Sequence, residues 1–327
     1  MNQGWCYYNR VDRQSVGLNV LTYYTQRYTH SNEAEWRSRI DAGQITVNGN
    51  IAAADWPLQV GQQLIYHRPP WVEPAAPLTF EVLYEDVDLL VIVKPSGLPV
   101  LPGGGFLEHT LLHQLRRQYP QDTPVPIHRL GRGTSGLMLL ARSPLAKTNL
   151  SQQLRENTLN PSGLLQSNGS ERSIRKVYRA LAQGTDMPNT FTVTQPIGKI
   201  AHPNLGYIYG AIYDAEGQGK SAVSHCKVLK RHAENALIEV TILTGRPHQI
   251  RIHLAAAGYP LVGDPLYGVG GLPLTVASEG AQAIPVPGDC GYFLHAYQLT
   301  ITHPRTRLTM EWTCPAPAIL SPAILSG

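Results

Sequence analysis

The chain has 327 residues, 43% hydrophobic and 15% charged, with 27 Lys and Arg against 23 Asp and Glu for a formal net charge of +4. That balance excludes a globally disordered chain, because ample apolar area offsets the conformational entropy, and it excludes a coiled coil, which needs far more Glu, Lys and Arg. At roughly 100–200 residues per domain, the length implies two domains.

In chain order, the segment EAEWRSRIDAG places Trp36 and Ile40 four apart on one side of a short helix that Gly43 can stop. Short strands follow, with Val47-Asn48-Gly49-Asn50-Ile51 as a tight turn, since Asn and Gly tolerate positive φ. The Pro-rich tract from Arg68 to Pro77 reads as a linker. It divides the chain into residues 1–75 and 76–327. The second part opens with strands at Phe80–Tyr84 and Leu89–Val93, then a Pro/Gly-rich loop to Gly105 and a helix at His109–Tyr119. A buried strand at Leu137–Ala141 precedes Ser143-Pro144, an N-cap and first-turn pair opening a helix to about Leu154. Residues 157–172 read as an exposed excursion and 268–291 as a long Gly- and Pro-containing loop. Further strands are predicted at Val177–Ala182, Phe191–Thr194, Tyr207–Tyr213, Ala222–Leu229, Leu237–Leu243, Ala296–Thr302 and Leu308–Trp312, with a helix at Gln249–Ala257. Turns rather than helices separate most strands, so the expected fold class is α+β with a largely antiparallel mixed sheet.

The scattered cysteines, Cys6, Cys226, Cys290 and Cys314, fit free thiols in a reducing cytoplasm. The start MNQGWCYYNR has no apolar leader region, and no apolar run approaches the ~18 residues of a membrane span. A cytoplasmic protein without a membrane partner is expected, with Asn168-Gly169-Ser170 an idle sequon and a monomer the default. Between Ile127 and Arg179, nine basic residues (Arg129, Arg132, Arg142, Lys147, Arg155, Arg172, Arg175, Lys176, Arg179) face only Glu156 and Glu171. Such a local excess suits a polyanion, though its charges can also scatter over a solvated face.

Gly131-Arg132-Gly133-Thr134-Ser135-Gly136 matches a dinucleotide-binding spacing, but a strand rather than a helix follows it. The glycines then serve a sharp turn that brings backbone amides near a ligand. His128 and Arg129 directly precede this turn. Arg246-Pro247-His248-Gln249-Ile250-Arg251 forms a second cluster of hydrogen-bonding groups, able to fix a phosphate or carboxylate or to close a helix-end network. On a strand, Lys176 and Tyr178 share one face, where the ring could stack on a base or simply pack. His109 and His113 have no HExxH partner, no zinc-ligand spacing is complete, and no Gly-x-Ser-x-Gly elbow occurs. No metal and no cofactor are expected.

Five stretches in order resemble the RluA-type family of RNA pseudouridine synthases: VLYEDVDLLVIVKPSGLPVLP (82–102), HRLGRGTSGLMLLARS (128–143), KVYRALAQG (176–184), LTGRPHQIRIHLAAAGYPLVGDPLYG (243–268) and FLHAYQLTITHPRTR (293–307). The front unit, Trp36–His67, more loosely resembles an S4-like RNA-binding domain. The resemblance implies conversion of uridine to pseudouridine in structured ribosomal or transfer RNA, without metal or organic cofactor, on a base flipped into a cleft. It implies that Tyr178 stacks on that base and that Arg251 holds the catalytic carboxylate, with Arg246 a phosphate or loop anchor. His128, Arg129, Arg132, Thr134, Lys176, Arg246, His248 and Gln249 become the substrate-binding candidates.

The sequence departs from the family where it matters most. After His128-Arg129-Leu130 the family has an Asp; here it is Gly131. A glycine can neither attack ribose nor relay a proton. Three outcomes stay open: another carboxylate acts (Asp264, or less directly Asp86, Glu108 or Asp122), the protein binds a flipped uridine without turning it over, or the pocket serves another nucleotide chemistry. If only the nucleophile is missing, Gly131→Asp should gain activity.

Overall fold

The structure, a computed structural model, describes residues 1–159, 174–202, 205–214, 218–274 and 285–322. Most of the expected excursion at 157–172, its sequon, and the middle of the 268–291 loop therefore lie outside the described residues. Two units divide the chain: Met1–Pro74 with Ala201–Tyr207, and Ala75–Ile200 with Ile208–Gly327.

The first unit contains β1 (Trp5–Arg10), α1 (Val20–Arg27), α2 (Glu33–Asp41), β2 (Ile45–Val47), β3 (Asn50–Ile51) and β4 (Gln63–Arg68). Its antiparallel sheet runs β1-β4-β2-β3. Asn32 starts α2 with a capping box: its side chain accepts from Glu35 N at 2.9 Å, and Glu35 accepts from Asn32 N at 2.8 Å. Such a cap contributes about 1 kcal/mol. Trp36 and Ile40 point into the core as their spacing predicts. Asn48 (φ 49°) and Gly49 (φ 86°) make the β2–β3 turn, where two consecutive positive φ values match the strand twist.

The second unit holds β5 (Glu81–Glu85), β6 (Leu89–Lys94), α3 (Leu111–Gln118), β7 (Val125–Pro126), β8 (Ser135–Ala141), α4 (Pro144–Leu159), β9 (Ile174–Gln183), β10 (Thr190–Val193), most of β11 (Ile197–His202) and β12 (Gly206–Ala211), β13 (Ser224–Arg231), β14 (Asn235–Ile242), α5 (Gln249–Ala256), β15 (Leu294–Thr302) and β16 (Thr309–Thr313). Among the described residues its large sheet runs β10-β13-β14-β9-β15-β8-β6-β5, with β16 on β15 and β7 on β8. Pairing is antiparallel except between β15 and β8. This is the α+β, largely antiparallel fold that the sequence predicts.

The core forms on apolar runs that can be covered on both faces: Leu89–Ile92 of β6 and Leu137–Ala141 of β8 are buried. Ser143 caps α4, its hydroxyl accepting from Ala146 N at 3.1 Å. Asp86 closes the β5–β6 turn by accepting from the amides of Asp88 and Leu89, both at 2.7 Å. One glycine is indispensable to the topology. At Gly136 (φ +103°) a Cβ would lie 2.3 Å from the Ala296 carbonyl oxygen. Only glycine lets β8 begin this close to β15. In that register Ala296 pairs with Gly136 on one side and Tyr178 on the other. No described helix is long and apolar enough to cross a membrane.

Candidate active site

The turn at Gly131–Gly136 is pinned from beneath by a residue that sequence reasoning passed over. Lys94 ends β6 fully buried, and its ammonium donates to the carbonyls of Pro95 (2.8 Å), Leu98 (2.9 Å) and Arg132 (3.2 Å). Ser96 Oγ donates to Gly133 O at 2.7 Å, and Gly97 N to Arg132 O at 2.8 Å. Burial pulls the Lys94 pKa down to about 7. The signal in the sequence was a lysine closing an otherwise apolar strand just before Pro95-Ser96-Gly97.

Opposite this turn, α5 presents Arg251. Its guanidinium makes a two-pronged pair with Asp264, Nε to Oδ2 and Nη2 to Oδ1, both 2.7 Å, with the side chains only 2% and 1% exposed. Asp264 Oδ1 also accepts from Leu266 N (2.9 Å) and Tyr267 N (3.2 Å). Asp264 thereby accepts four hydrogen bonds and anchors Arg251. The third guanidinium nitrogen, Nη1, is buried without an acceptor among the described residues.

Tyr292 bridges the two features. Its ring centroid lies 4.2 Å from Arg251 Cζ, and its hydroxyl lies 3.3 Å from Thr134 Oγ1. Close backbone contact sets it there: a Cβ on Gly263 would sit 2.4 Å from Gly291 O, and one on Gly291 would sit 2.7 Å from Gly263 O. The ring covers the Gly131–Gly133 turn. A Cβ on Gly131 would be 2.7 Å from the Tyr292 hydroxyl, and one on Gly133 would be 3.0 Å from Cζ. Tyr292 carries no motif signal, because its position depends on its neighbour Gly291 meeting Gly263, which is distant in sequence.

The remaining candidates divide into two groups. Tyr178 and Lys176 lie on β9, sharing a face, with Tyr178 6% exposed and Lys176 also buried. Burial lowers the Lys176 pKa to about 8 and raises that of Tyr178. Arg129 is exposed beside the turn, and Arg132 donates from Nε to Gly288 O at 2.6 Å while its Cζ lies 5.1 Å from the Phe106 ring centroid.

The other group makes hydrogen bonds within the protein. His128 Nε2 accepts from Leu139 N at 3.1 Å. His248 is the left-handed residue (φ 55°) before α5 and bonds Tyr267 through Nδ1 at 2.9 Å. Gln249 accepts from Thr244 Oγ1 and Arg246 N and donates to Val223 O and Ser224 Oγ, so a buried amide is spent inside the protein. Arg246 Nε donates to Ser221 O at 3.0 Å.

The basic stretch is also less free than its count suggests. Arg142 pairs with Glu85 at 2.7 Å and Arg179 with Glu239 at 3.2 Å, whereas Arg129, Lys147, Arg155 and Arg175 are exposed. Arg172 lies outside the described residues. Of the other nominated acids, Asp86 is occupied by Tyr84, His303 and the turn amides, and Asp122 is exposed. No group of three metal-ligating side chains occurs among the described residues.

His253, which is buried, and His128 and His248, which are partly buried, are expected to make the unit acid-sensitive. Burial drives His128 and His248 down to about 3 and His253 to about 4. An unfolded histidine titrates near 6.5, so below that value the unfolded chain binds more protons. Stability is complete above pH 6.5 and falls as the pH drops toward 4. Urea midpoints at pH 7 and pH 5 should show the loss, and His128→Gln should reduce it.

Residues 88–256 match the family model described as RNA pseudouridylate synthase. An RNA pseudouridine synthase of Synechocystis sp., described as uncharacterized, is 48% identical over 91% of this chain and 94% of its own length. RNA pseudouridine synthase 5 of Arabidopsis thaliana is 40% identical over 98% of this chain and 95% of its own. Ribosomal large subunit pseudouridine synthase D of Neisseria meningitidis is 32% identical over 91% of this chain and 75% of its own. The solved structure of human RNA pseudouridylate synthase domain containing 1 shares the fold, with a TM-score of 0.54 at 22% identity over 77% of this chain and 89% of that one. The chain belongs to the RNA pseudouridylate synthase family. RNA pseudouridine synthase is its function class, and a role confined to binding finds no support among these relatives.

Proposed function

We propose that this protein isomerises uridine to pseudouridine in ribosomal RNA, working as a cytoplasmic monomer. The flipped base stacks on Tyr178, the 131–134 turn faces its ribose, and Arg251 supplies the fixed positive charge. The S4-like first unit and the exposed Arg129 and Arg175 hold flanking phosphates. The observation that carries this reading is the paired construction of the site: a glycine turn pinned by Lys94 lies against Arg251 through Tyr292. The cross-strand row Gly136–Ala296–Tyr178 links the same turn to the stacking ring. Flipping costs a few kcal/mol of unstacking, which an aromatic platform offsets at about 1–3 kcal/mol per base.

The test is incubation with unmodified large-subunit ribosomal RNA, followed by mapping of carbodiimide adducts. A new site is expected with the wild-type protein and none with Tyr178→Ala. Affinity for the RNA should fall as salt rises, since phosphate contacts release counterions. RNA that stays unmodified at every uridine, while still bound, would overturn the proposal.

A further inference from the structure

The family expectation of an Asp at residue 131 leaves a chemical gap that Asp264 does not fill. Asp264 already accepts four hydrogen bonds and is buried. The nearest protic group at that place is the Tyr292 hydroxyl, with the Thr134 hydroxyl farther off at 3.5 Å. The Tyr292 hydroxyl is 2.7 Å from the Cβ position of residue 131, and no other Tyr292 atom is within 4 Å of it, so the C–O bond points at the place where an acidic side chain would begin. Tyr292 is 5% exposed and its hydroxyl contact with Thr134 is buried, while Gly131 beside it is half-buried, so the base must enter over the backbone of residue 131 to meet the hydroxyl.

We propose that Tyr292 is the catalytic residue that acts where the family acid would, its phenolic oxygen being the protein atom that meets the ribose of the flipped uridine. This rests on the uridine-isomerisation reading above. The ionised oxygen attacks C1′, and the C1′–N1 bond breaks with its electron pair leaving on N1. The uracil turns, C5 attacks C1′, and the phenolate departs with its electron pair. C5 then loses its proton to solvent and N1 takes one up, so the product is an isomer and nothing is consumed.

Among the described residues, Arg251 is the one cation placed to stabilise the phenolate against the cost of burial. Arg251 stacks over the ring, and its Nη1 has no acceptor among the described residues. Burial raises the phenol pKa above its usual value, and the opposing pull of Arg251 and the Thr134 hydroxyl lessens that rise without reversing it; Asp264, Cys290 and the neighbouring Tyr267 are the other titratable groups bearing on it. Gly131 and Gly133 are then required together, because a side chain at either would displace the ring.

The experiment compares the wild type, Tyr292→Phe and a protein carrying 3-fluorotyrosine at 292, on ribosomal RNA that the wild type modifies. Tyr292→Phe should retain the wild-type melting temperature and RNA affinity yet lose at least 100-fold in turnover. Fluorination lowers the phenol pKa, so the rising limb of the rate–pH profile should move to lower pH, a shift that a merely packed ring would not produce. A Tyr292→Phe protein within 10-fold of wild type, or a limb that does not move, overturns the assignment to Tyr292 and leaves the isomerase reading intact. A wild type that modifies no uridine overturns both.

Discussion

Arg251→Met should lower stability by about 3–5 kcal/mol and stop uridine conversion. The guanidinium and Asp264 are both almost wholly buried, so removing one partner strands a carboxylate in the interior. Two backbone amides, from Leu266 and Tyr267, remain to Asp264 and keep the loss finite. The companion variant Arg251→Met/Asp264→Leu separates fold from chemistry. Replacing a whole buried pair with apolar groups is often neutral, so most of the stability should return while activity stays absent. Urea denaturation of the two variants and the same RNA assay check both halves. Recovery of activity along with stability would mean that Arg251 serves the fold alone.

Gly131→Asp should not gain activity, and should cost about 1–3 kcal/mol. The sequence alone expects a gain only if nothing but the nucleophile is missing, because it shows an absent acid and not what fills the space. The new Cβ would stand 2.7 Å from the Tyr292 hydroxyl, so the ring must yield, and with it the contact to Arg251. Gly131→Asp/Tyr292→Phe removes the obstructing oxygen and should recover most of the lost stability. Melting curves of the single and double variants measure this coupling, which is expected to be non-additive because the two groups touch. Additive losses would show that the ring does not bear on residue 131.

Much of the sheet was legible because its strands are written as apolar runs or tight turns. Leu89–Lys94, Ser135–Ala141 and the Asn48-Gly49 turn lie where the residues predict. Ser143 caps α4 as its position before Pro144 implies. β1 and α1 were missed for physical reasons. β1 buries almost nothing on either face, so it has no alternation, and α1 buries Val20, Leu21, Tyr23 and Tyr24 at helical spacing but over only eight residues, too short a run to stand out. His109 was read onto a helix that begins only at Leu111.

The candidate site was legible only where motif and geometry coincide. Tyr178 and Lys176 share a strand face as period two requires. Arg251 is paired with Asp264, the first of the acids that the sequence offers in place of residue 131. Gln249 and His248 look like ligand-binding residues in sequence, because hydrogen-bonding capacity is visible there and its consumption by Thr244, Ser224 and Tyr267 is not. Tyr292 was invisible, since only the approach of Gly263 to Gly291 brings it to the turn.

The most direct measurement uses ribosomal RNA carrying tritium at C5 of uridine. Isomerisation must exchange the hydrogen at C5, so the wild-type protein should release label to water, while Tyr178→Leu, binding the same RNA, should not. Label that stays in RNA bound by the wild-type protein would contradict the account.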